Sequence, residues 1–424
     1  MAAARIRLVG SYADILRVPG SRSFVAAGWL GRMLRSTTGI ATILLVSAQS
    51  GSFALAGAVS GATVVGLAIG GPLWSRAVDA RGQRRVLPLT LTAAAAAAAA
   101  LVLVVVCAAP VFTWFIAAFL LGAASIDVGS LVRARWRSAV SSPQQRHTSL
   151  ALESVSDELV FVVGPPLVTL IAASAGTVVG FATGVLVGVG GGFWLWSQRS
   201  TTPRVHTQPG GLPLPRRSWR PPAGVLGLLP IYLGVGTVFA AIDLAAVGLG
   251  TETGQPWLTG VILAVFSVGS VLAGFAFGPI SAGWTPATRV LVSAVAYAVV
   301  VPSLLMFQSP GVLASLIFVA GLVTTPVLIS GTSLITSRVD ESRLTEALTW
   351  PSIGLALGVT FGGALAGIVV DDGSAFSAYL ISTVAAVAVG VYGVLSSLVN
   401  RRHGHPEPVA AVTAGSDATA GQNP

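Results

Sequence analysis

Apolar runs of roughly 20 residues follow one another along almost the whole chain, each long enough to cross a bilayer as a helix. The runs predict spans at 23–47, 54–75, 86–107, 110–132, 149–173, 177–197, 224–249, 256–280, 289–307, 310–336, 345–369 and 376–399. Most of the breaks are tight, such as Gln49-Ser50-Gly51-Ser52. The longest break falls in the middle and is rich in Pro, Gly, Thr and Arg. The pattern therefore reads as an all-α polytopic membrane protein with twelve spans in two six-helix bundles. Residues 1–197 form the first bundle and 198–223 a cytoplasmic linker. Residues 224–402 form the second bundle, and 403–424 a disordered cytoplasmic tail.

The polar positions assign the sides. All 24 basic residues are arginine. Arg5, Arg7, Arg17 and Arg22 precede or open the first span. Arg76, Arg81, Arg84 and Arg85 follow the second, and Arg133, Arg135, Arg137 and Arg146 the fourth. Arg199, Arg204, Arg216, Arg217 and Arg220 follow the sixth, Arg289 the eighth, Arg338 and Arg343 the tenth, and Arg401 and Arg402 the twelfth. The odd-numbered gaps carry none. Positive charge in short loops stays cytoplasmic during insertion, so both termini are expected there, in a plasma membrane. Arg32 and Arg35 lie inside the first span and belong to function or assembly.

Composition narrows the classes. With 54% hydrophobic and 9% charged residues, and a mean hydropathy of +0.83, the chain cannot dress a water-soluble surface. The net charge of +9 is spread over many loops, which suits topology and anionic lipid headgroups better than nucleic acid. Without lysine there is no Walker A loop and no Schiff-base site. The single Cys107 can form no internal disulfide. Arg-Arg-His-Gly-His in the tail, with His403 and His405, is read as solvated rather than metal-binding, and no cofactor is expected. No cleavable signal peptide is visible.

The halves resemble each other. Gly57 and Gly66 are nine apart, as are Gly260 and Gly269. GPLWSRAVDARGQRRVL from Gly71 and GFAFGPISAGWTPATRVL from Gly274 both end in Arg-Val-Leu, and Thr148 corresponds to Thr345. A duplicated six-helix unit is the mark of a carrier with its site between the halves.

The loop after the second span, GPLWSRAVDARGQRRVLPL, resembles the signature G-x-x-x-D-R-x-G-R-R of the major facilitator superfamily. Asp79 and Gly82 match it, and Arg84 and Arg85 supply its arginine pair one position on, after Gln83; Ser75 and Ala80 replace a Gly and an Arg. The resemblance covers about residues 10 to 402. Gly82 permits a tight turn, and Asp79 sits among arginines and can cap a helix. In the family this cytoplasmic gate motif, with Gly71 before it, braces the halves by contacting the eleventh helix. The resemblance also implies that spans 1, 4 and 7 line the central cavity. Gly164-Pro165 in the fifth span matches part of a longer motif of the family's drug/proton antiporters and predicts a kink there.

The embedded charges are the candidate chemistry. Arg32 lies about ten residues into its span, or ~15 Å deep; Asp157 and Glu158 lie ~13 Å deep from the same side. Matched depth pairs Arg32 with one of these acids. Glu153, four residues before Asp157, shares its face and reads either as an interfacial carboxylate or as part of the cluster. Arg133 and Arg135 read as loop anchors. Asp127 and Asp243 are further embedded acids, Asp243 near the outer leaflet. Two arginines, Arg32 and Arg35, against about five acids leave negative charge in the membrane, so protonating at least one acid is the cheaper state. Glycine ladders at 180, 184, 188 and 192, at 354, 358 and 362, and at 66 and 70 predict close helix contacts. Smooth faces where spans 2 and 11 meet would let the halves rock.

These observations add up to a monomeric secondary transporter, exporting a small molecule against protons by alternating access. Uptake of a small organic anion through Arg32 and Arg35 is the alternative. A polytopic membrane enzyme would need paired acidic motifs or an embedded histidine, whereas Asp371-Asp372 stands alone and no His lies within a span; a non-transporting scaffold or sensor is the remaining class.

Overall fold

The computed structural model describes residues 14–203, 223–281, 283–306, 309–339, 347 and 349–402. The helices in chain order are α1 (Ser21–Ser50), α2 (Phe53–Arg81), α3 (Gln83–Val106), α4 (Val111–Ala139), α5 (Pro143–Ala175) and α6 (Thr177–Ser197). After the middle break come α7 (Leu229–Glu252), α8 (Trp257–Ile280), α9 (Pro286–Val300), α10 (Pro310–Arg338), α11 (Thr349–Asp372) and α12 (Ala378–Arg402). No strand occurs among the described residues. Eleven described helices are long and apolar enough to cross a membrane; α1, which carries Arg22, Arg32 and Arg35, has the length as well. The protein is a multi-pass membrane protein. Most of the expected linker (204–222) and the tail (403–424) lie outside the described residues, as do Arg5, Arg7, Arg343, His206, His403 and His405.

Several helices run further at the arginine-rich end than the apolar runs suggest. α2 reaches Arg81, α4 Ala139, and α5 starts at Pro143. Ser142 caps α5 by accepting from Gln145 N at 3.2 Å, and Pro143 takes the first helical position, where its missing N–H costs nothing. α4 is interrupted: helices Val111–Ala124 and Val128–Ala139 flank Ser125-Ile126-Asp127. Asp127 starts the second piece by accepting from Gly129 N at 3.1 Å. Gly82 joins α2 to α3 with φ +81°, the left-handed region that an L side chain avoids. α5 continues as helix through Gly164-Pro165-Pro166.

The packing repeats between halves. α1 lies against α6 as α7 lies against α12; α2 lies against α4 as α8 lies against α10. The glycines carry the repeat at atomic detail. A side chain on Gly66 would meet the Phe119 carbonyl of α4, and one on Gly269 the Phe318 carbonyl of α10. A side chain on Gly122 would meet the Thr63 carbonyl, and one on Gly321 the Phe266 carbonyl. Small residues here let backbones touch.

The halves meet through α2 with α11 and α5 with α8. The α2–α11 seam is made by Ala54, Gly57 and Gly61 against Gly367, Gly363 and Thr360, and Thr360 Oγ1 donates to Gly61 O at 3.1 Å. These are the first turns of α2 and the last turns of α11, at the arginine-poor end. Gly260 of α8 comes near Pro166 and Thr169 of α5 at that same end. The glycine ladders have other partners than a rocking seam. Gly354, Gly358 and Gly362 pack on α7, inside one half, and Gly66 and Gly70 on α4. Gly184 and Gly188 pack on Thr37 and Leu34 of α1.

Candidate functional site

α1, α4 and α5 bring charged side chains together in the amino half. Arg32, 6% exposed, donates from Nη2 to Glu153 Oε2 and lies with Nε 2.6 Å from Asp157 Oδ1. Glu153 is fully buried, and its second oxygen accepts from Trp136 Nε1 at 2.8 Å. Arg133 pairs with the other oxygen of Asp157. Each carboxylate here thus has a guanidinium on it, as burial at membrane depth requires. Arg32 Nη1 has no hydrogen-bond partner among the described residues. Trp136 is held edge-on by Phe24, with ring centroids 4.8 Å apart.

Several sequence expectations change. Arg32 does meet Asp157, yet its buried partner is Glu153. Arg133 is part of the cluster and not a loop anchor. Arg135 is buried too, bonding Gln83 Oε1 (3.0 Å), Leu195 O (2.9 Å) and Thr201 Oγ1 (2.8 Å), which ties α3, α4 and α6 together. The side chain of Glu158 lies outside the described ones. Among the described side chains, Arg32, Arg35 and Arg133 face Glu153, Asp157 and Asp127.

Arg35 is different from Arg32. It is 48% exposed, and its nearest carboxylate, Asp127, stands 3.7 Å away. On α1, Leu30, Leu34 and Thr37 face α6, and Arg35 projects away from that side. Asp127 is committed in part to capping the second piece of α4.

Asp243 is the counterpart in the carboxyl half. Gly234 of α7 faces Val389 of α12; Asp243, nine residues on, is half a turn round the helix and points away from α12. It shares its face with Tyr232, whose hydroxyl reaches Leu328 O (3.3 Å) and Thr332 Oγ1 (3.1 Å) of α10. Asp243 is half-buried and makes no ion pair or hydrogen bond among the described residues. Measured along their helices, Arg35 and Asp243 each lie about 14 residues, or ~21 Å, from the arginine-rich end. Asp243 is therefore deeper toward the middle than the sequence placed it, because α7 starts at Leu229.

The motif loop contacts its own half. Gln83, buried, donates to Leu131 O at 3.1 Å, and Trp196 Nε1 donates to Arg84 O at 3.0 Å. Asp79, Arg84 and Arg85 are exposed, and Asp79 makes no ion pair among the described residues. A side chain on Gly71 would meet nothing, whereas one on Gly164 would press on Met33, Ser36 and Thr37 of α1. The residues just before α11 that the resemblance would put against this loop, 340–346, are outside the described ones.

A polar contact between halves went unread in the sequence. Asp371, near the end of α11, accepts from Ser52 Oγ (2.7 Å), Phe53 N (2.7 Å) and Ala54 N (2.9 Å) at the start of α2.

No group of His, Cys, Asp and Glu among the described residues is arranged to hold a metal ion. Comparison with known proteins gives a family and a fold. The family described as Major Facilitator Superfamily matches residues 24–244. No curated protein matches the chain in sequence. Among solved structures, a mutant form of the nucleoside transporter NupG superposes with a TM-score of 0.68 at 12% identity, covering 89% of this chain and 99% of that one. The peptide transporter POT in complex with sulfate gives 0.64 at 13% identity, covering 91% and 95%. The human organic anion transporter MFSD10 (TETRAN) gives 0.62 at 15% identity, covering 89% and 99%. At these identities the likeness speaks for the fold.

Proposed function

The chain belongs to the Major Facilitator Superfamily, and from that premise we propose that it is a proton-coupled exporter working by alternating access. It is a membrane transporter of a small molecule and not an enzyme. The arginine-rich end is the cytoplasmic side in this reading, and both termini lie there. The described contacts between the halves then lie toward the outside, which suits a protein that loads from the cytoplasm.

The observation that carries proton coupling is Asp243. It is a carboxylate in the membrane-spanning region with no ionic or hydrogen-bond partner among the described residues. A lone charge at that depth is expensive, and a proton or a cationic group of the substrate removes the expense. Exchange of one neutralising partner for the other as access alternates couples substrate to proton. Asp157, held between Arg32 and Arg133, has no such vacancy. Gly164, seated on α1, begins the Gly164-Pro165 pair whose partial likeness to antiporters favours export.

The test is a proton-release assay. Purified protein is reconstituted with pyranine inside the vesicles, and a panel of amines, zwitterions and organic anions is added in turn. A compound that is carried moves protons across the membrane in the opposite sense. Asp243→Asn loses this proton movement while compound exchange at equal pH persists. Flux that ignores the pH gradient in wild type and variant alike points to a uniporter or another coupling ion.

One observation favours a second reading. Arg35 is half exposed and only loosely engaged by Asp127, so it offers a cation to an anionic substrate. Arg32, buried between Glu153 and Asp157, does not. Anion uptake that falls with Arg35→Gln would support this reading over export of an amine.

A further inference from the structure

We propose that Asp371 is the latch of the arginine-poor gate, a positioning residue that sets how long the two halves stay closed at that end. The proposal rests on the alternating-access reading above.

Helix electrostatics set the direction of this contact. The last turn of a helix carries partial negative charge, and the first turn carries partial positive charge on unpaired N–H groups. Asp371 lies in the last turn of α11, so its carboxylate stands at the unfavourable pole of its own helix. What compensates it belongs to the other half. Phe53 N and Ala54 N, the first two orphan donors of α2, both point at it, at 2.7 and 2.9 Å. Ser52 completes the arrangement: its Oγ donates to Asp371 at 2.7 Å while accepting from Leu55 N at 3.1 Å. Two of the amino-terminal N–H groups of α2 are therefore satisfied by a carboxylate from the opposite half. These bonds exist only while the halves touch.

The setting fits a latch. Just below it, Gly367, Gly363 and Thr360 of α11 lie in near-backbone contact with Ala54, Gly57 and Gly61 of α2. That seam is mostly apolar and smooth, with little to hold a particular register. Asp371 supplies a charged, directional contact at its rim, where water can replace it on opening. The device is confined to one of the two cross-half seams. At the α5–α8 seam, Ser174 stands where the repeat places the counterpart of Asp371, and it bonds back to Leu170 O and Ile171 O of its own helix. The counterpart of Phe53 is Pro256, which has no N–H to offer.

The experiment measures conformation and needs no substrate, so it stands or falls apart from the transport assay. Spin labels are placed at Gln49 and Thr253, the exposed arginine-poor ends of α1 and α7, after Cys107→Ser, and distances are read by double electron–electron resonance in liposomes. Asp371→Ala raises the ratio of long to short distances about tenfold, the scale of losing charge-assisted hydrogen bonds. Asp371→Asn, which keeps an acceptor without the charge, falls between, and Asp371→Glu restores most of the closed population. Asp372→Ala, the exposed neighbour, leaves the ratio unchanged. An unaltered distribution in a folded Asp371→Asn protein overturns the proposal, and so does an equal shift in Asp372→Ala. If Asp371→Ala does not fold, Asp371→Asn and Ser52→Ala decide the matter alone.

Discussion

Arg32 and Glu153 decide what the amino half can tolerate. A guanidinium and a carboxylate this deeply buried are stable only together. Arg32→Ala leaves Glu153 and part of Asp157 uncompensated, and we expect a loss of about 3–5 kcal/mol in stability. Adding Glu153→Gln should recover a good part of that loss, seen as a melting temperature between those of wild type and Arg32→Ala in detergent. If the double variant melts no higher than Arg32→Ala, the pair is not the stabilising unit. The sequence pointed to an acid of the fifth helix by depth, and Asp157 is indeed one partner. Glu153 was harder to read because the apolar run begins near residue 149, which puts this acid at the interface. The helix begins six residues earlier, at Pro143 behind the Ser142 cap, and that moves Glu153 to the depth of Arg32. Ser-Pro at a helix start was the available signal. Arg133 was hidden for the same reason, since α4 runs on to Ala139 past the break at Ser125-Ile126-Asp127.

Eleven of the twelve apolar runs fall on helices long and apolar enough to cross a membrane, and α1 has the length, because length and composition largely define a span. The glycine patterns were legible as contacts, but not as to which helix they contact. A glycine spacing reports a smooth face; the rotation of the helix about its axis decides the partner, and that depends on every other face. So the ladder at Gly354, Gly358 and Gly362 serves α7, while Gly57, Gly61, Gly363 and Gly367 build the seam between halves. The two sets should answer differently to added bulk. Gly57→Val puts a side chain onto the Gly363 backbone across the seam, and Gly358→Val puts one onto Leu233 within a half. Overpacking costs about 1–3 kcal/mol in either place. In the first case the halves can part and relieve it, so the protein should keep its melting temperature and shift toward the state open at the arginine-poor end. In the second no such relief exists, and the melting temperature should fall. The two outcomes are separated by combining a thermal melt with the Gln49–Thr253 distance measurement. Gly57→Val that melts early without opening would show that the seam does not separate.

For the bundle taken entire, orientation is what the arginines argue and what geometry alone does not supply. The helices alternate direction, so every turn of one parity lies at one end of the bundle. The described arginine-poor turns are at 51–52, 107–110, 176, 253–256 and 373–377, and none carries a basic residue. If insertion holds arginine on the cytoplasmic side, that end lies outside, and Asp371 with it. The chain carries its own reporter of this. Cys107 is its single cysteine, it is exposed, and it sits in the turn between α3 and α4 at the arginine-poor end. A membrane-impermeant maleimide should therefore label the unaltered protein in intact cells. With Cys107 replaced by Ser, cysteines at Gln49 and Thr253 should behave in the same way, and those at Ala139 and Arg199 should react only after permeabilisation. The contrast is large for exposed positions, since a sealed membrane blocks the reagent entirely. Labelling of Arg199→Cys from outside, with Cys107 protected, would invert the molecule. The seam between the halves would then face the cytoplasm, and the case for loading from that side would pass to uptake.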